Sequence, residues 1–171
     1  RNLMYTGYKE CNGPFVIRYP RGKGEMADWR NEMHILPIGK GKKLRDGDDI
    51  AILSLGPIGN EVIKAIKEVE SDGISIAHYD MIFLKPMDEE LLHEVGKRFS
   101  RVITVENGVI KGGLGSAVLE FMADNGYTPK IKRIGVPDEF VEHGPISELY
   151  KLCGMDAKCI AEEIKKMVIG G

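Results

Sequence analysis

Apolar runs that alternate with amphipathic stretches constrain the fold of this chain more than any other feature. Residues 50–55 form an apolar run that Gly56-Pro57 ends, a pattern typical of a strand buried on both faces. Pro57 suits the start of a helix, because its fixed φ matches the first helical turn. The apolar residues that follow have the spacing of one helical face: Val62, Ile63, Ile66 and Val69.

The same strand–helix cycle repeats three times further along the chain. Predicted strands span residues 74–79, 101–106 and 131–134, and predicted helices span 88–99, 116–125, 147–152 and 157–168. Ahead of the cycle, residues 38–44 lead into Asp46-Gly47, a turn that favours a hairpin and therefore one antiparallel strand. Alternation of this kind requires right-handed crossovers and a sheet covered on both faces. We expect an α/β fold, a three-layer α/β/α sandwich whose mixed, mainly parallel sheet has about five strands, one of them antiparallel.

The first part of the chain has a different pattern. Residues 1–9 are predicted to be the last turns of a helix, with Leu3 and Met4 facing inward. Residues 12–14 are a turn, since glycine tolerates positive φ and proline disfavours helix in its predecessor. Residues 15–18 are predicted to form a short strand, and Trp29 is predicted to anchor a surface linker.

Composition excludes several classes of function. The chain has 171 residues, enough for one packed domain with an appendage. Its net charge of −2 gives no electrostatic reason to expect a nucleic acid or a membrane as partner. Apolar runs stay far below the roughly 20 residues that span a bilayer. The four histidines are scattered, so no metal site is predicted. Three cysteines without Cys-x-x-Cys spacing indicate reduced thiols in a cytoplasmic protein.

Two arginines near the start of the chain form a candidate binding motif. Arg18 and Arg21 flank Tyr19-Pro20, and Gly22 then breaks the backbone. Two guanidiniums held three residues apart by a rigid proline suit an oxyanion clamp, because each presents planar, paired donors to phosphate or carboxylate. The same arginines also suit interdomain salt bridges, and spacing alone does not decide between these roles.

A glycine-rich string suggests a nucleotide site, but the string is incomplete. Residues 113–118 follow a predicted strand and open a helix, and Asp138 lies where a ribose-binding carboxylate would be expected. Val118 replaces the third glycine, however. We therefore interpret the glycines as positions where the helix packs closely on the sheet.

Other polar residues have ordinary explanations. Ser116 lacks a Gly-x-Ser-x-Gly context, so a hydroxyl at the N-cap or first position of a helix is expected there. Glu106 and Asn107 end a predicted parallel strand, where α/β sheets bind ligands, although Asn107-Gly108 is also common turn chemistry. Glu142 and His143 offer an acid beside an imidazole, which alone is weak evidence for catalysis.

Several strings together resemble the 1-deoxy-D-xylulose 5-phosphate synthase family, thiamine-diphosphate enzymes of the transketolase superfamily. These strings cover residues 13–22, 36–41, 51–56, 83–88, 104–107, 112–118 and 134–138. The resemblance extends over nearly the whole chain and implies a C-terminal fragment. It implies that residues 1–22 end the pyrimidine-binding (middle) domain, 23–37 are a linker, and 38–171 are a transketolase-type C-terminal domain.

The resemblance also implies an activity for the longer protein. That homodimeric transferase condenses pyruvate with D-glyceraldehyde 3-phosphate, releases carbon dioxide and supplies isoprenoid and thiamine biosynthesis. Arg21 matches the family's arginine for the triose phosphate, with Arg18 and Tyr19 as bracing, substrate-binding neighbours.

Thiamine diphosphate and Mg²⁺ bind, in this family, to parts that precede the chain. This sequence has no diphosphate-binding Gly-Asp-Gly stretch with a following Asn-Asn pair. We therefore expect a fragment that is inactive alone, binds no cofactor or metal, and contains no catalytic residue.

Two alternatives remain open from the sequence. The chain could be the assembly domain of a relative, a transketolase or the β subunit of a 2-oxo acid dehydrogenase. It could also be a free-standing flavodoxin-like or nucleotide-binding domain.

Overall fold

A computed structural model describes residues 1–19 and 30–170, in which five strands lie between layers of helices. The strands are Lys42–Arg45 (β1), Ile50–Leu55 (β2), Ile76–Asp80 (β3), Arg101–Val109 (β4) and Lys130–Val136 (β5). The helices are Asn2–Glu10 (α1), Gly59–Val69 (α2), Glu89–Arg98 (α3), Leu114–Asp124 (α4), Ile146–Leu152 (α5) and Ala157–Ile169 (α6). Short 3₁₀ turns, Gly56–Ile58 and Glu70–Asp72, flank α2.

The sheet is mixed and mainly parallel, as the sequence predicts. Its strand order is β1-β3-β2-β4-β5, with β2 parallel to β3 and β4, and β4 parallel to β5. β1 is the antiparallel member and pairs with β3, so that Lys42 faces Asp80. These features confirm the three-layer α/β/α prediction.

The predicted hairpin between the first two strands is wrong. β1 and β2 are not neighbours, because β3 lies between them. The amides of Asp48 and Asp49 donate to the Ser75 carbonyl at 3.2 and 2.8 Å, so the connection crosses the start of β3. Gly47 permits this crossing, since an added Cβ would collide with the Ile76 backbone. The Asp-Gly step therefore passes over a strand and does not reverse the chain beside it.

Two hydrophobic cores cover the two faces of the sheet. Ile50 and Ile52 of β2 point towards α2 and α6, whereas Ala51 and Leu53 point towards α3 and α4. All four side chains are fully buried, as expected for a central parallel strand. One detail of the predicted helical face is wrong: Ile63 is 40% exposed, and α2 packs instead through Val62, Ala65, Ile66 and Val69.

The first nineteen residues form one helix and an extended segment. α1 confirms the predicted helix, but Met4 is exposed and Leu3 only half-buried. The buried residue is Thr6, whose hydroxyl donates to the Asn2 carbonyl and accepts the Leu36 amide, both at 2.8 Å. Residues 15–18 do not form the predicted strand, because no described strand lies beside them to complete a ladder. Trp29 lies outside the described residues.

Candidate functional site

The carboxyl ends of four parallel strands meet along one side of the sheet, here named the carboxyl edge. Its strands end at Leu55 (β2), Asp80 (β3), Val109 (β4) and Val136 (β5). Since these strands run in one direction, the loops that follow them leave the sheet on the same side. This is the side on which open α/β sheets bind ligands.

Glu106 anchors a helix at this edge. The residue is only 4% exposed, and its two carboxylate oxygens accept the amides of Leu114 and Gly115 at 2.8 and 2.9 Å. A carboxylate in this place satisfies amides that have no partner within the helix, and the helix dipole favours its negative charge. Because both oxygens face α4, the geometry favours a structural role for Glu106 over the ligand-binding alternative.

The glycine string packs the start of α4 onto the sheet. An added Cβ at Gly113 would collide with the Glu106 carboxylate. At Gly115 it would lie 2.7 Å from Arg133 Cδ and 2.8 Å from Thr104 Oγ1. The space that a nucleotide phosphate would need at this helix N-terminus is therefore filled by a side-chain carboxylate, in agreement with the predicted packing role.

Two further residues of the incomplete nucleotide motif have structural partners. The Ser116 hydroxyl accepts the Gly112 amide at 2.9 Å and the Arg133 guanidinium at 3.1 Å. Ser116 is the third residue of α4, so its predicted N-cap or first-position placement is wrong. Asp138 accepts Lys111 Nζ at 3.0 Å on an exposed surface, where it forms an ion pair and not a ribose contact.

A second polar contact links the end of β4 to α5. The Asn107 amide nitrogen donates to the Tyr150 hydroxyl at 3.1 Å. Burial raises the pKa of the Tyr150 phenol, the negative charge of Glu61 adds to that effect, and the positive charge of Arg18 opposes it. Asn107 is thus engaged by tertiary structure, although the sequence also allows it an ordinary turn role.

Aromatic packing holds the N-terminal segment against the carboxyl edge. The Phe15 ring contacts the Phe83 ring edge-on, with centroids 6.5 Å apart. The same ring packs so closely on Gly7 of α1 that an added Cβ there would collide with it. Phe83 follows β3 through a tight turn in which its amide donates to the Met81 carbonyl. The residue between them, Ile82, has φ 55°, and a β-branched residue at positive φ is strained. This turn places Phe83 where Phe15 can pack.

The residues predicted to bind substrate are only partly described. Arg21 lies outside the described residues, whereas Arg18 and Tyr19 are exposed in the segment that follows Phe15. Glu142 and His143 are both exposed in the connection between β5 and α5. The structure therefore gives the Glu142–His143 pair no buried setting.

Metal and thiol chemistry find little support in the described part of the chain. Residues 1–19 and 30–170 contain no group of three acidic, histidine or cysteine side chains that could hold a metal ion. Cys11, Cys153 and Cys159 are free thiols. A hydrogen bond with Asp156, together with burial, raises the pKa of Cys159 to about 11, which disfavours the reactive thiolate. No described helix is long and apolar enough to span a bilayer.

Sequence reasoning missed two residues of the carboxyl edge. Tyr150 falls inside a correctly predicted helix, but nothing local indicates that its hydroxyl meets Asn107, 43 residues earlier. Phe83 belongs to a string that carries the family resemblance, yet only the fold shows its contact with Phe15. A tyrosine in a short helix after the last strand is the one available signal, and it is weak.

Comparison with known proteins identifies relatives of the chain. Residues 39–160 match the family model described as Transketolase, C-terminal domain. A solved structure described as a split-gene transketolase in an inactive β4 tetramer superposes with a TM-score of 0.73 at 33% identity. That match covers 80% of this chain and 44% of the transketolase chain.

Similar curated proteins carry one name. The 1-deoxy-D-xylulose-5-phosphate synthase of Parabacteroides distasonis is 78% identical over 166 residues, which is 97% of this chain and 26% of that protein. The synthase of Bacteroides fragilis is 58% identical over 167 residues, which is again 97% of this chain and 26% of that protein. The synthase of Syntrophotalea carbinolica is 42% identical over 168 residues, which is 98% of this chain and 26% of that protein. The chain thus spans about a quarter of the length of these relatives.

Proposed function

This chain belongs to the transketolase C-terminal domain family, and on that premise we propose that it is the C-terminal part of a 1-deoxy-D-xylulose-5-phosphate synthase. The observation that carries the proposal is the 78% identity to the Parabacteroides distasonis synthase over 97% of this chain. The proposed reaction condenses pyruvate with D-glyceraldehyde 3-phosphate and releases carbon dioxide. The solved relative at 33% identity supports the superfamily, and the synthase relatives favour this activity over a general transketolase or dehydrogenase role.

Thiamine diphosphate and Mg²⁺ belong to the proposal for the full-length enzyme. When bound, the cofactor supplies the carbanion chemistry that joins the two substrates. The described residues of this chain do not fit it: the one glycine-rich helix start is filled by the Glu106 carboxylate, which would repel a diphosphate. We therefore assign no residue of this chain to the cofactor and place its site in the preceding domains.

The domain boundaries are also proposed. Residues 1–22 would end the middle domain, 23–37 would form the linker, and 38–171 the C-terminal domain. The family match at residues 39–160 and the start of the sheet at Lys42 support the second boundary. The packing of Phe15 on Phe83 supports close contact between the end of the middle domain and the carboxyl edge.

The N-terminal segment is the proposed contribution to substrate binding. Arg21 would bind the phosphate of D-glyceraldehyde 3-phosphate, with Arg18 and Tyr19 beside it. Phosphate binding remote from the reacting carbon positions the aldehyde and raises its effective concentration. Two observations support this assignment: Arg18 is exposed, and Phe15, three residues earlier, packs on Phe83 after β3, on the side where open α/β sheets bind ligands.

We further propose a cytoplasmic homodimer. Four large apolar side chains after β5 are exposed, and such surface suits a subunit contact: Phe140, Ile146, Leu152 and Ile169. The tetrameric description of the split-gene transketolase is compatible with assembly through domains of this kind. Sedimentation velocity of the full-length protein should give a dimer, and a monomer at micromolar concentration would contradict it.

The test of the activity is a product assay on the full-length protein. With pyruvate, D-glyceraldehyde 3-phosphate, thiamine diphosphate and Mg²⁺, we expect 1-deoxy-D-xylulose 5-phosphate and carbon dioxide in equal amounts. Residues 1–171 alone should form neither product and show no calorimetric signal with the cofactor. Transfer of a two-carbon unit from a ketose phosphate, without carbon dioxide, would instead indicate a transketolase.

A further inference from the structure

Three asparagine–glycine steps occur in the chain, and the structure holds each of them differently. They are Asn12-Gly13, Asn107-Gly108 and Asn125-Gly126. In such a step the glycine amide nitrogen can attack the asparagine Cγ, because glycine has no Cβ to obstruct the approach. In a folded protein the attack requires that both the glycine amide and the asparagine side chain are released from other contacts, by local opening where necessary.

Asn12-Gly13 is free at both groups. The two residues form an exposed bend between α1 and Phe15. Within residues 1–19 and 30–170, no hydrogen bond engages the Asn12 side chain or the Gly13 amide. A Cβ added at Gly13 would meet nothing within 4 Å, so no packed neighbour restricts the bend. The nitrogen and the carbon that it attacks can therefore meet without the loss of a contact.

Asn125-Gly126 is also exposed, but hydrogen bonds hold it. Asn125 ends α4 with φ −99° and ψ 7°, and its side-chain nitrogen donates to the Phe121 carbonyl at 2.9 Å. The Gly126 amide, which would be the nucleophile, donates to the Ala123 carbonyl at 3.1 Å. Both bonds must break before the attack. Since Asn12 and Asn125 are both exposed, hydrogen bonding and not exposure separates the two steps.

Asn107-Gly108 is held by the sheet. Both residues lie within β4, which is hydrogen-bonded to β2 and β5. The Asn107 side-chain nitrogen donates to the Tyr150 hydroxyl at 3.1 Å, and a Cβ at Gly108 would lie 3.2 Å from the Glu106 carboxylate. Reaction at this step requires local opening of an interior strand, which is among the rarest openings of a fold.

We propose that Asn12 is a site of spontaneous deamidation in the folded protein and the fastest of the three steps. The Gly13 nitrogen forms a bond to Asn12 Cγ and gives its proton to water. The Cγ–Nδ2 bond breaks, and the nitrogen takes up a proton and leaves as ammonia. Water then opens the succinimide ring at either carbonyl and gives aspartate or isoaspartate. The net reaction consumes one water and releases one ammonia, with no change of oxidation state.

The product changes the connection between α1 and the arginine segment, residues 18–21. Aspartate adds a negative charge three residues before Phe15, and the next charged side chain along the chain is Arg18. Isoaspartate also lengthens the main chain by one methylene group in the bend. The modification site is independent of the proposed synthase activity, because it depends only on the geometry of the bend.

The test is peptide mapping of the full-length protein during incubation in mildly alkaline buffer. Trypsin places the three asparagines on separate peptides, residues 10–18, 102–111 and 112–130, and mass spectrometry measures the replacement of amide by carboxyl in each. In the native protein, Asn12 should convert about tenfold to a hundredfold faster than Asn125, because two hydrogen bonds hold the second step. In urea the three rates should be similar, since the same dipeptide is then free of structure.

Gly13→Ala tests the identity of the nucleophile. The bend has room for the added methyl group, so the variant should give the circular dichroism spectrum of wild type. Its Cβ obstructs the attacking nitrogen, and conversion at Asn12 should slow severalfold. The rates at Asn107 and Asn125 should not change and serve as controls within the same sample.

Three results would overturn the proposal. One is a native rate at Asn12 no greater than that at Asn125. Another is an unchanged rate at Asn12 in Gly13→Ala, which would exclude attack by the glycine nitrogen. The third is an Asn12 that reacts in urea but not in the native full-length protein, which would show that the longer protein covers the bend.

Discussion

Two polar regions of this domain differ in how their charges are satisfied. Beside β1, the edge-strand cluster consists of Lys40, Lys43, Asp46, Asp48, Asp88, Glu90, Glu94 and Arg98. Its members pair with one another: Lys43 with Glu94 at 2.7 Å, and Arg98 with Asp48 at 2.7 Å. At the carboxyl edge, Glu106 is buried against backbone amides and Asn107 donates to the Tyr150 hydroxyl, while Arg18 of the N-terminal segment is exposed.

The difference separates stability from binding. In the edge-strand cluster each cation is paired with a carboxylate, and charged side chains on an edge strand discourage pairing with another sheet. Exposed ion pairs of this kind stabilise a fold by about 0–1 kcal/mol each. A buried carboxylate on backbone amides contributes more, although it is a single group. We therefore expect burial, and not the number of charges, to rank the following substitutions.

Glu106→Ala should have the largest effect on stability. It leaves the amides of Leu114 and Gly115 buried without an acceptor, and we expect a loss of about 3 kcal/mol in the free energy of unfolding. Urea denaturation followed by circular dichroism measures this loss. Glu90→Ala is the control, the same chemical change at a carboxylate whose side chain is 87% exposed, and should leave the midpoint unchanged. Similar urea midpoints for both variants would contradict the expectation that burial of the carboxylate determines the loss of stability.

His78 should make the domain sensitive to acid. Its ring is 1% exposed and bonded to Ser54 at 2.9 Å, and burial lowers its pKa from 6.5 to about 4. As pH falls below 6.5, His78 binds a proton in the unfolded chain but not in the folded chain. The free energy of unfolding is therefore unaffected by His78 above pH 6.5 and decreases from there down to pH 4. The loss should approach about 3 kcal/mol.

Denaturation at several pH values tests this linkage. His78→Gln should flatten the dependence of the unfolding free energy on pH between 6.5 and 4 relative to wild type. An identical slope in both proteins would show that carboxylates alone produce the acid sensitivity.

Asp88→Ala tests the one buried member of the edge-strand cluster. Asp88 is 6% exposed and accepts the amides of Leu91 at 3.1 Å and Gly41 at 2.9 Å. Although burial alone would raise its pKa, these two bonds and Lys40 lower it below its usual range. Loss of the cap should cost about 1–2 kcal/mol. Asp156→Ala removes a cap with a single amide, that of Cys159, and should cost less; an equal or larger loss there would contradict this ranking.

Arg98→Met should have the smallest effect. Its guanidinium pairs with Asp46 and Asp48, and these hydrogen bonds raise its pKa, but both carboxylates are largely exposed. The urea midpoint in 0.5 M salt should equal that of wild type, because water and ions screen such pairs. A shift as large as that of Asp88→Ala would mean that the exposed pairs stabilise the sheet after all.

Most of the fold could be predicted from the sequence, because the spacing of apolar residues along each segment shows whether it is a strand or a helix. The run at 50–55 and the helical spacing at 62–69 depend on local order alone, and both elements lie where the pattern indicates. The pairing of β1 could not be predicted this way. An Asp-Gly step has the same local preference whether it reverses the chain or crosses a strand, and the contact of Gly47 with β3 decides the outcome.

The site could be predicted less well, for the same reason. The sequence places Glu106 and Asn107 at a strand end, but the amides of Leu114 and Gly115 and the hydroxyl of Tyr150 meet them only through the fold. The predicted strand at residues 15–18 failed because a strand needs a neighbour that local pattern does not supply. The substrate-binding roles of Arg18 and Arg21 stay predictions, since Arg21 lies outside the described residues.

The most direct test of the account is the kinetic effect of Arg21→Ala in the full-length enzyme. A guanidinium on the dianionic phosphate should contribute about 1.5–3 kcal/mol, so KM for D-glyceraldehyde 3-phosphate should rise about ten- to a hundredfold. KM for pyruvate should barely change, and Arg21→Lys should restore part of the loss, because a point charge cannot reproduce the planar fork. If both constants rise together, or the variant loses stability instead, the arginine segment is structural and the carboxyl edge does not bind the phosphate.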